Sequence, residues 1–329
     1  MSKKHPKILM QEAAERVSSA SYCPKKLTAI HAGIAAGASL LVALLTYLLG
    51  IGIDDTAGLG GIGTRAALET AQSILDLTIS VLSPFWALGF VAAAMNMARR
   101  QEFTPHTLLT GLRRWAPMLR LMLLEGVLVF GIMLVTMQIG SYLFLLSPLS
   151  EPFTAFFEEF TALSASDPTA AADFLLNLDQ QTMRSIFWRG MPFLAIPTVA
   201  VLIPLSYRLR LAQYILLDQP KAGAMLAMML SFRLMKKQGW KLFGLDLRLW
   251  WFHGLEMLVV ALCYGDLLLP MLGVELGMNA VLLSFLCYAL ALICQVGLYV
   301  WKKPQVMTAY ALFYDGLLPR QMPEQESAN

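Results

Sequence analysis

Runs of twenty or more apolar residues constrain this chain more than anything else in it. The first extends from about Leu27 to Ile53, and others follow over about 73–97, 117–146, 191–217, 247–269 and 280–301. A helix needs about 20 apolar residues to cross the hydrocarbon core of a bilayer. Inside that core every backbone polar group must be satisfied by the structure itself, which leaves helices or closed barrels. A barrel would show alternating segments of about ten residues, and these runs are unbroken. The chain therefore reads as all-α: a polytopic membrane helical bundle with six transmembrane helices and short cytosolic interfacial helices. Composition agrees: 57% of the 329 residues are hydrophobic and 14% charged, against roughly a quarter charged in soluble domains. The first run is too long for a secretory signal core and reads as an uncleaved span.

Charge sets the orientation. Of the 25 lysines and arginines, 22 fall in 1–26, 99–120, 208–248 and after Trp301; Arg65, Arg184 and Arg189 fall on the other side. Basic residues accumulate on the cytoplasmic side, so both termini are expected in the cytoplasm. Residues 1–26 form a cytosolic N-terminal segment and 27–301 the six-span domain. That domain includes an outer acidic loop, 147–189, and a cytosolic hinge, 206–246. Residues 302–329 form a cytosolic amphipathic helix and tail, with Tyr310, Phe313, Tyr314 and Leu317 at helical spacing.

Local signals refine this plan. Ile8, Leu9, Ala13 and Val17 recur at near-helical spacing, which fits a helix on the membrane surface and equally a loosely ordered tail. Gly58 to Gly63 predict a flexible loop. Thr104 is placed to cap a short helix with Pro105 in its first turn, turning Leu108, Leu109 and Leu112 to lipid. In the outer loop Phe153, Phe156, Phe157 and Phe160 predict two amphipathic helices that bury them. Pro192, Pro197 and Pro204 predict kinks in the fourth span. Each inward-running span ends in basic residues and then a proline: Arg99-Arg100 to Pro105, Arg208 and Arg210 to Pro220, and Lys302-Lys303-Pro304. Three two-span hairpins, each trailing a short helix, would give that pattern. The hinge helix, from Pro220 to Gly239, is apolar almost all round and is expected to be buried. Its small residues Gly223, Ala227 and Ser231 would meet span four or five, with Asp218 capping its start.

The hinge and tail also carry a resemblance. Tyr214, Asp218, Pro220, Ser231, Leu234, Met235 and Lys236, then Lys241, Leu242, Phe243, Leu245 and Asp246, match a recurrent pattern. Pro304, Ala311, Phe313 and Tyr314 complete it. The chain resembles bacterial integral membrane proteins known as domain-of-unknown-function family 975. Lys237 stands where that family has glycine, and Leu247-Arg248-Leu249-Trp250 replaces its Ser-Phe-rich run. The specific part covers about 204–250 and 300–318. The resemblance implies a membrane fold without an established activity, and structural roles for Asp218, Pro220, Ser231, Lys236, Phe243, Asp246 and Tyr314. The family in turn resembles the membrane domain attached to some glycerophosphodiester phosphodiesterases.

Candidate chemistry is sparse. Asp76, Glu125 and Glu256 lie within spans, where an ionisable group is costly and a functional candidate. Asp76 sits in the first turn of its span, near water. Glu125 lies a few turns above Arg113, Arg114 and Arg120, and pairing with Arg120 is the simpler reading. His253 and Glu256 are three apart on one helix face, arranged for mutual hydrogen bonding or for passing a proton. The candidate intramembrane polar site is thus Glu125, His253 and Glu256. Arg99, Arg100, Arg113, Arg114, Arg208, Arg210, Lys236 and Lys237 are candidate contacts for anionic headgroups, each contributing on the order of 1 kcal/mol. The four histidines form no H-E-x-x-H, no G-x-S-x-G or phosphate loop occurs, and the four cysteines include no C-x-x-C. No catalytic, metal or cofactor residue is expected. The expected partners are the lipid bilayer and another membrane protein or a second copy; a charge of +3 does not call for nucleic acid. The expected role is a non-catalytic transporter-like subunit or scaffold, the rival an intramembrane enzyme or regulatory domain acting on lipid-derived substrates.

Overall fold

A computed structural model describes residues 6–52, 59–167, 170, 180–219, 223–265 and 280–318. Among them there are helices and no strands, as an all-α membrane bundle requires. Five stretches are long and apolar enough to cross a membrane: Pro24–Leu45, Thr70–Ala98, Trp115–Leu145, Phe187–Asp218 and Leu282–Leu317. The sixth expected span, 247–269, is described only to Gly265. Its helix, Trp250–Cys263, has 14 residues, about 21 Å at 1.5 Å per residue, and does not cross by itself. Six therefore becomes five among the described residues. The chain forms two compact units, residues 1–119 with 211–329, and residues 120–210.

The first unit is wound around one helix. We number its elements α1 (Pro6–Ser18), α2 (Pro24–Gly52), α3 (Leu59–Ala98) and α4 (Thr110–Arg113). Across the second unit come α5 (Trp115–Leu145), α6 (Glu151–Ser166) and α7 (Gln180–Leu209). The chain returns in α8 (Ala212–Asp218), α9 (Gly223–Met235), α10 (Gly239–Arg248), α11 (Trp250–Cys263) and α12 (Ala280–Asp315). From Thr308 to Tyr314 every residue of α12 is buried. Seven consecutive residues span nearly two turns, so no face is left open, as in a helix enclosed by others. The enclosing helices are α1, α2, α3 and α11.

This corrects the expectation of a separate tail helix. α12 runs through Lys302, Lys303 and Pro304 without a break. The proline removes one backbone hydrogen bond, and packing on both sides holds the helix together. Lys303 lies over the Tyr299 ring at 3.7 Å and Lys302 over Trp301 at 5.0 Å, so aromatic faces receive the ammonium groups. The pattern of three hairpins each trailing a separate helix fails at this third member.

Other expectations shift for equally local reasons. α1 forms as a helix and buries Leu9 and Ala13, packing on α12, α3 and α10. α3 begins at Leu59, within the glycine stretch expected as a loop, because the turns behind it propagate helix backwards. Thr104 does precede a 3₁₀ turn, Pro105–Leu109, and its N–H donates to the Thr107 hydroxyl at 3.2 Å. Leu109 and Leu112 are exposed, but Leu108 is buried. A Cβ on Gly89 would strike the Leu108 carbonyl, and one on Gly111 would strike the Phe85 carbonyl. These two glycines let the turn sit directly on α3, which encloses Leu108 with Leu27, Phe90, Ala93, Ala94, Met97 and Phe103.

The hinge helix α9 starts at Gly223, whose φ of +71° suits glycine; Pro220 lies outside the described residues. Ala227 and Ser231 are buried as expected, while Met225, Leu226 and Met229 are exposed. One face packs on α8, the last helical stretch of span four, and the other is open, so the helix is half-buried rather than enclosed.

The second unit is smaller. A Cβ on Gly140 would meet the Phe193 carbonyl, and Thr136 and Thr198 hydroxyls lie 3.2 Å apart. α5 and α7 approach as close as small residues allow and share a polar pair. α7 is helical through Pro192, Pro197 and Pro204. α6 accounts for one of the two helices expected in the outer loop; residues 171–179 lie outside the described set. α6 buries no residue, contrary to expectation: Phe153 packs on Phe144 with ring centroids 6.0 Å apart, and Phe157 is exposed.

Candidate functional site

The polar residues of the first unit gather on the last turns of α12. Arg99 immediately follows α3, Asp218 closes α8, and Asp315 closes α12. The Arg99 guanidinium donates to Asp315 through Nη2 (2.7 Å) and Nε (3.1 Å) to Oδ1, and through Nη1 to Asp218 Oδ1 at 2.6 Å. Tyr314 donates its hydroxyl to Asp218 Oδ2 at 3.1 Å, and its ring packs on Tyr214 at 5.7 Å. One cation thus ties the C-terminal ends of three helices, where exposed carbonyls also favour positive charge. The hydrogen bonds of Asp315, opposed by partial burial and reinforced by Asp218, raise the Arg99 pKa above the ordinary arginine range. The contribution of a group shifted upward is complete below its ordinary pKa and lost only above it, so this arginine stays charged at every pH the fold meets. Nearby, Arg114 donates to the Leu217 carbonyl at 2.8 Å.

One turn earlier on α12 a second group begins. Tyr310, 5% exposed, donates to Asp246 Oδ1 of α10 at 2.6 Å. His253 of α11 lies with Nε2 3.4 Å from the Tyr310 oxygen and Nδ1 3.0 Å from Glu256 Oε2. The tyrosine proton is directed at Asp246, so its oxygen is left to accept from Nε2–H. Nδ1 then either carries a second proton toward the carboxylate or accepts one from it. His253 and Glu256 are both half-exposed. Removing the Tyr310 hydroxyl should be costly, because it takes away the 2.6 Å bond to Asp246 that joins α12 to α10. Tyr310→Phe is expected to lower stability by roughly 1–3 kcal/mol, measured as thermal unfolding in detergent; a parent-like melting temperature would contradict the bond.

The structure brings together two of the three predicted polar residues, His253 and Glu256. Glu125 belongs to the other unit, is half-buried, and forms no ion pair with Arg120 among the described residues. Asp76 is exposed. The Asp218 carboxylate serves Arg99 and Tyr314; residues 220–222, which a cap on the hinge helix would serve, lie outside the described residues. Of the predicted headgroup contacts, Arg99 and Arg114 are engaged inside the protein. Arg100, Arg113, Arg208, Lys236 and Lys237 are exposed and Arg210 is half-buried. Among the motif residues Ser231 and Tyr314 are buried, Asp246 holds Tyr310, and Phe243 and Lys236 are exposed. Asp315 was not singled out by the sequence, although it directly follows Tyr314 in the motif. Among the described residues no three His, Cys, Asp or Glu side chains converge as metal ligands would.

Comparison with known proteins adds one finding. The family model described as "Protein of unknown function (DUF975)" matches residues 34–321. No curated protein and no solved structure matches the chain, so the likeness to the phosphodiesterase membrane domain finds no match there.

Proposed function

The chain belongs to the DUF975 family of proteins of unknown function, and we propose that it serves as a non-catalytic membrane component, a scaffold engaging lipids or other membrane proteins. The observation that carries this reading is the use made of charge. Arg99, Asp218 and Asp315 are spent on one another across three helix ends, and Tyr310 and Tyr314 are spent on Asp246 and Asp218. A polar network turned inward holds helices in place, whereas a transport path would line an opening with such groups. The transporter-like subunit of the sequence reading is therefore the weaker form of the proposal. The scaffold lies in a bacterial plasma membrane with both termini in the cytoplasm, a second copy or another membrane protein being its partner.

A second reading rests on His253 and Glu256. A histidine and a carboxylate in contact at 3.0 Å can support bond cleavage, as in an intramembrane enzyme or regulatory domain acting on lipid-derived substrates. Assays of the purified protein with phospholipids separate the two. The scaffold reading expects no turnover; turnover abolished by His253→Ala or Glu256→Gln, with melting unchanged, would replace it. Placement is tested by single cysteines in a cysteine-free background. Position 165 should react with an impermeant thiol reagent from outside, and positions 102 and 238 only after permeabilisation. External labelling at 238 would reverse the orientation.

A further inference from the structure

Between the end of α1 and the end of α3 lies a cleft of about 310 Å³. Its wall includes Arg16, Ser19, Ser21, Arg100, Gln101 and Phe103, and contains no carboxylate. Two arginines, two serines and a glutamine therefore line a space together with the buried Phe103. Glu12 takes one bond from Arg16 Nη2 at 3.1 Å, which leaves that guanidinium further donors.

Arg100 shows that this arrangement is held at a cost to the backbone. Its φ is 57°, the left-handed region, and no other non-glycine residue among those described has a positive φ. Gln101 N–H donates to the Asn96 carbonyl at 2.9 Å and Arg100 N–H to the Met97 carbonyl at 3.3 Å. These are the two bonds that close a helix with a left-handed residue just past its end, a position where glycine is favoured. Arginine stands there instead. Its neighbour Arg99 turns inward to Asp218 and Asp315, whereas Arg100 is exposed and lines the cleft. Strain at a residue whose side chain enters a cleft is a mark of a binding site.

We propose that this cleft binds a terminal phosphate group, either on the headgroup of an anionic phospholipid or as free phosphate. Planar guanidinium forks match phosphate oxygens two at a time, and Ser21 and Gln101 add neutral donors around the same space, the Ser19 hydroxyl donating to the Arg16 carbonyl at 3.4 Å. The site lies apart from the polar groups on α12 and goes beyond the scaffold reading, on which it rests only for the lipid as the source of the phosphate.

The test uses the full-length protein in detergent, titrated calorimetrically with short-chain phosphatidic acid, with phosphatidylcholine of the same chains, and with inorganic phosphate. Saturable binding of phosphatidic acid and none of phosphatidylcholine is expected. Arg100→Gly and Arg16→Gln should each weaken it by about tenfold, the equivalent of about 1.4 kcal/mol; Arg233→Gln, an exposed arginine outside the cleft, should leave it unchanged. Arg100→Gly should also melt no lower than the parent, since glycine suits that backbone, which separates lost binding from lost folding. Binding of phosphatidic acid alone assigns the lipid headgroup, and inorganic phosphate binding equally well assigns the free anion. Saturation by neither, equal binding of phosphatidylcholine, or an equal loss with Arg233→Gln overturns the proposal. None of these outcomes depends on whether the protein turns lipids over.

Discussion

Arg99→Met is expected to be among the most destabilising single substitutions in the chain. It removes the guanidinium shared by Asp218 and Asp315 and leaves two carboxylates, 22% and 27% exposed, beside each other without a cation between them. Deleting one partner of a buried ion pair costs about 3–5 kcal/mol. Partial exposure reduces that, so roughly 2–4 kcal/mol is expected here, read as a fall in melting temperature in detergent. Arg99→Lys should recover only part of the loss. A single ammonium lacks the planar fork with which Arg99 reaches both carboxylates at once. Full recovery by lysine would mean that charge alone, without geometry, holds the three helix ends.

Gly89→Ala and Gly111→Ala should be as damaging through packing alone. Each new methyl would collide with a backbone carbonyl, that of Leu108 or Phe85, and a backbone atom cannot swing aside as a flexible side chain can. Overpacking of this kind costs about 1–3 kcal/mol and occasionally more, and the upper end is expected where backbone must move. Gly33 and Gly126 supply the control. A Cβ there meets nothing within 4 Å, and alanine is about 1 kcal/mol better than glycine in a helix. The same substitution should therefore stabilise at positions 33 and 126 and destabilise at 89 and 111. Equal melting of all four variants would show that the turn does not sit on α3.

The apolar runs made the membrane class legible because length and hydropathy are local properties. The end of the last span was not legible for the opposite reason. Lys302, Lys303 and Pro304 carry the marks of a helix end, and only aromatic faces and enclosing helices let α12 continue through them. Arg99 posed the same difficulty. An arginine at the end of a span looks alike whether it meets a lipid phosphate or two carboxylates, and here its partners lie 119 and 216 residues away in sequence. Asp218, next to a proline and an apolar helix, resembled a cap until its partners were visible. The His253–Glu256 contact, by contrast, was readable from a spacing of three on one helix. Gly89 and Gly111 gave no local signal, since a glycine in a membrane helix is common whether or not another backbone touches it.

The central claim is that Arg99 fastens the ends of α3, α8 and α12 to one another, and a double-mutant cycle tests it most directly. Arg99→Met, Asp315→Leu and the combined variant would be compared with the parent by thermal unfolding in detergent. The bidentate contact predicts that the double variant loses less than the sum of the two singles, with a coupling of roughly 2 kcal/mol. Additive losses would contradict the lock.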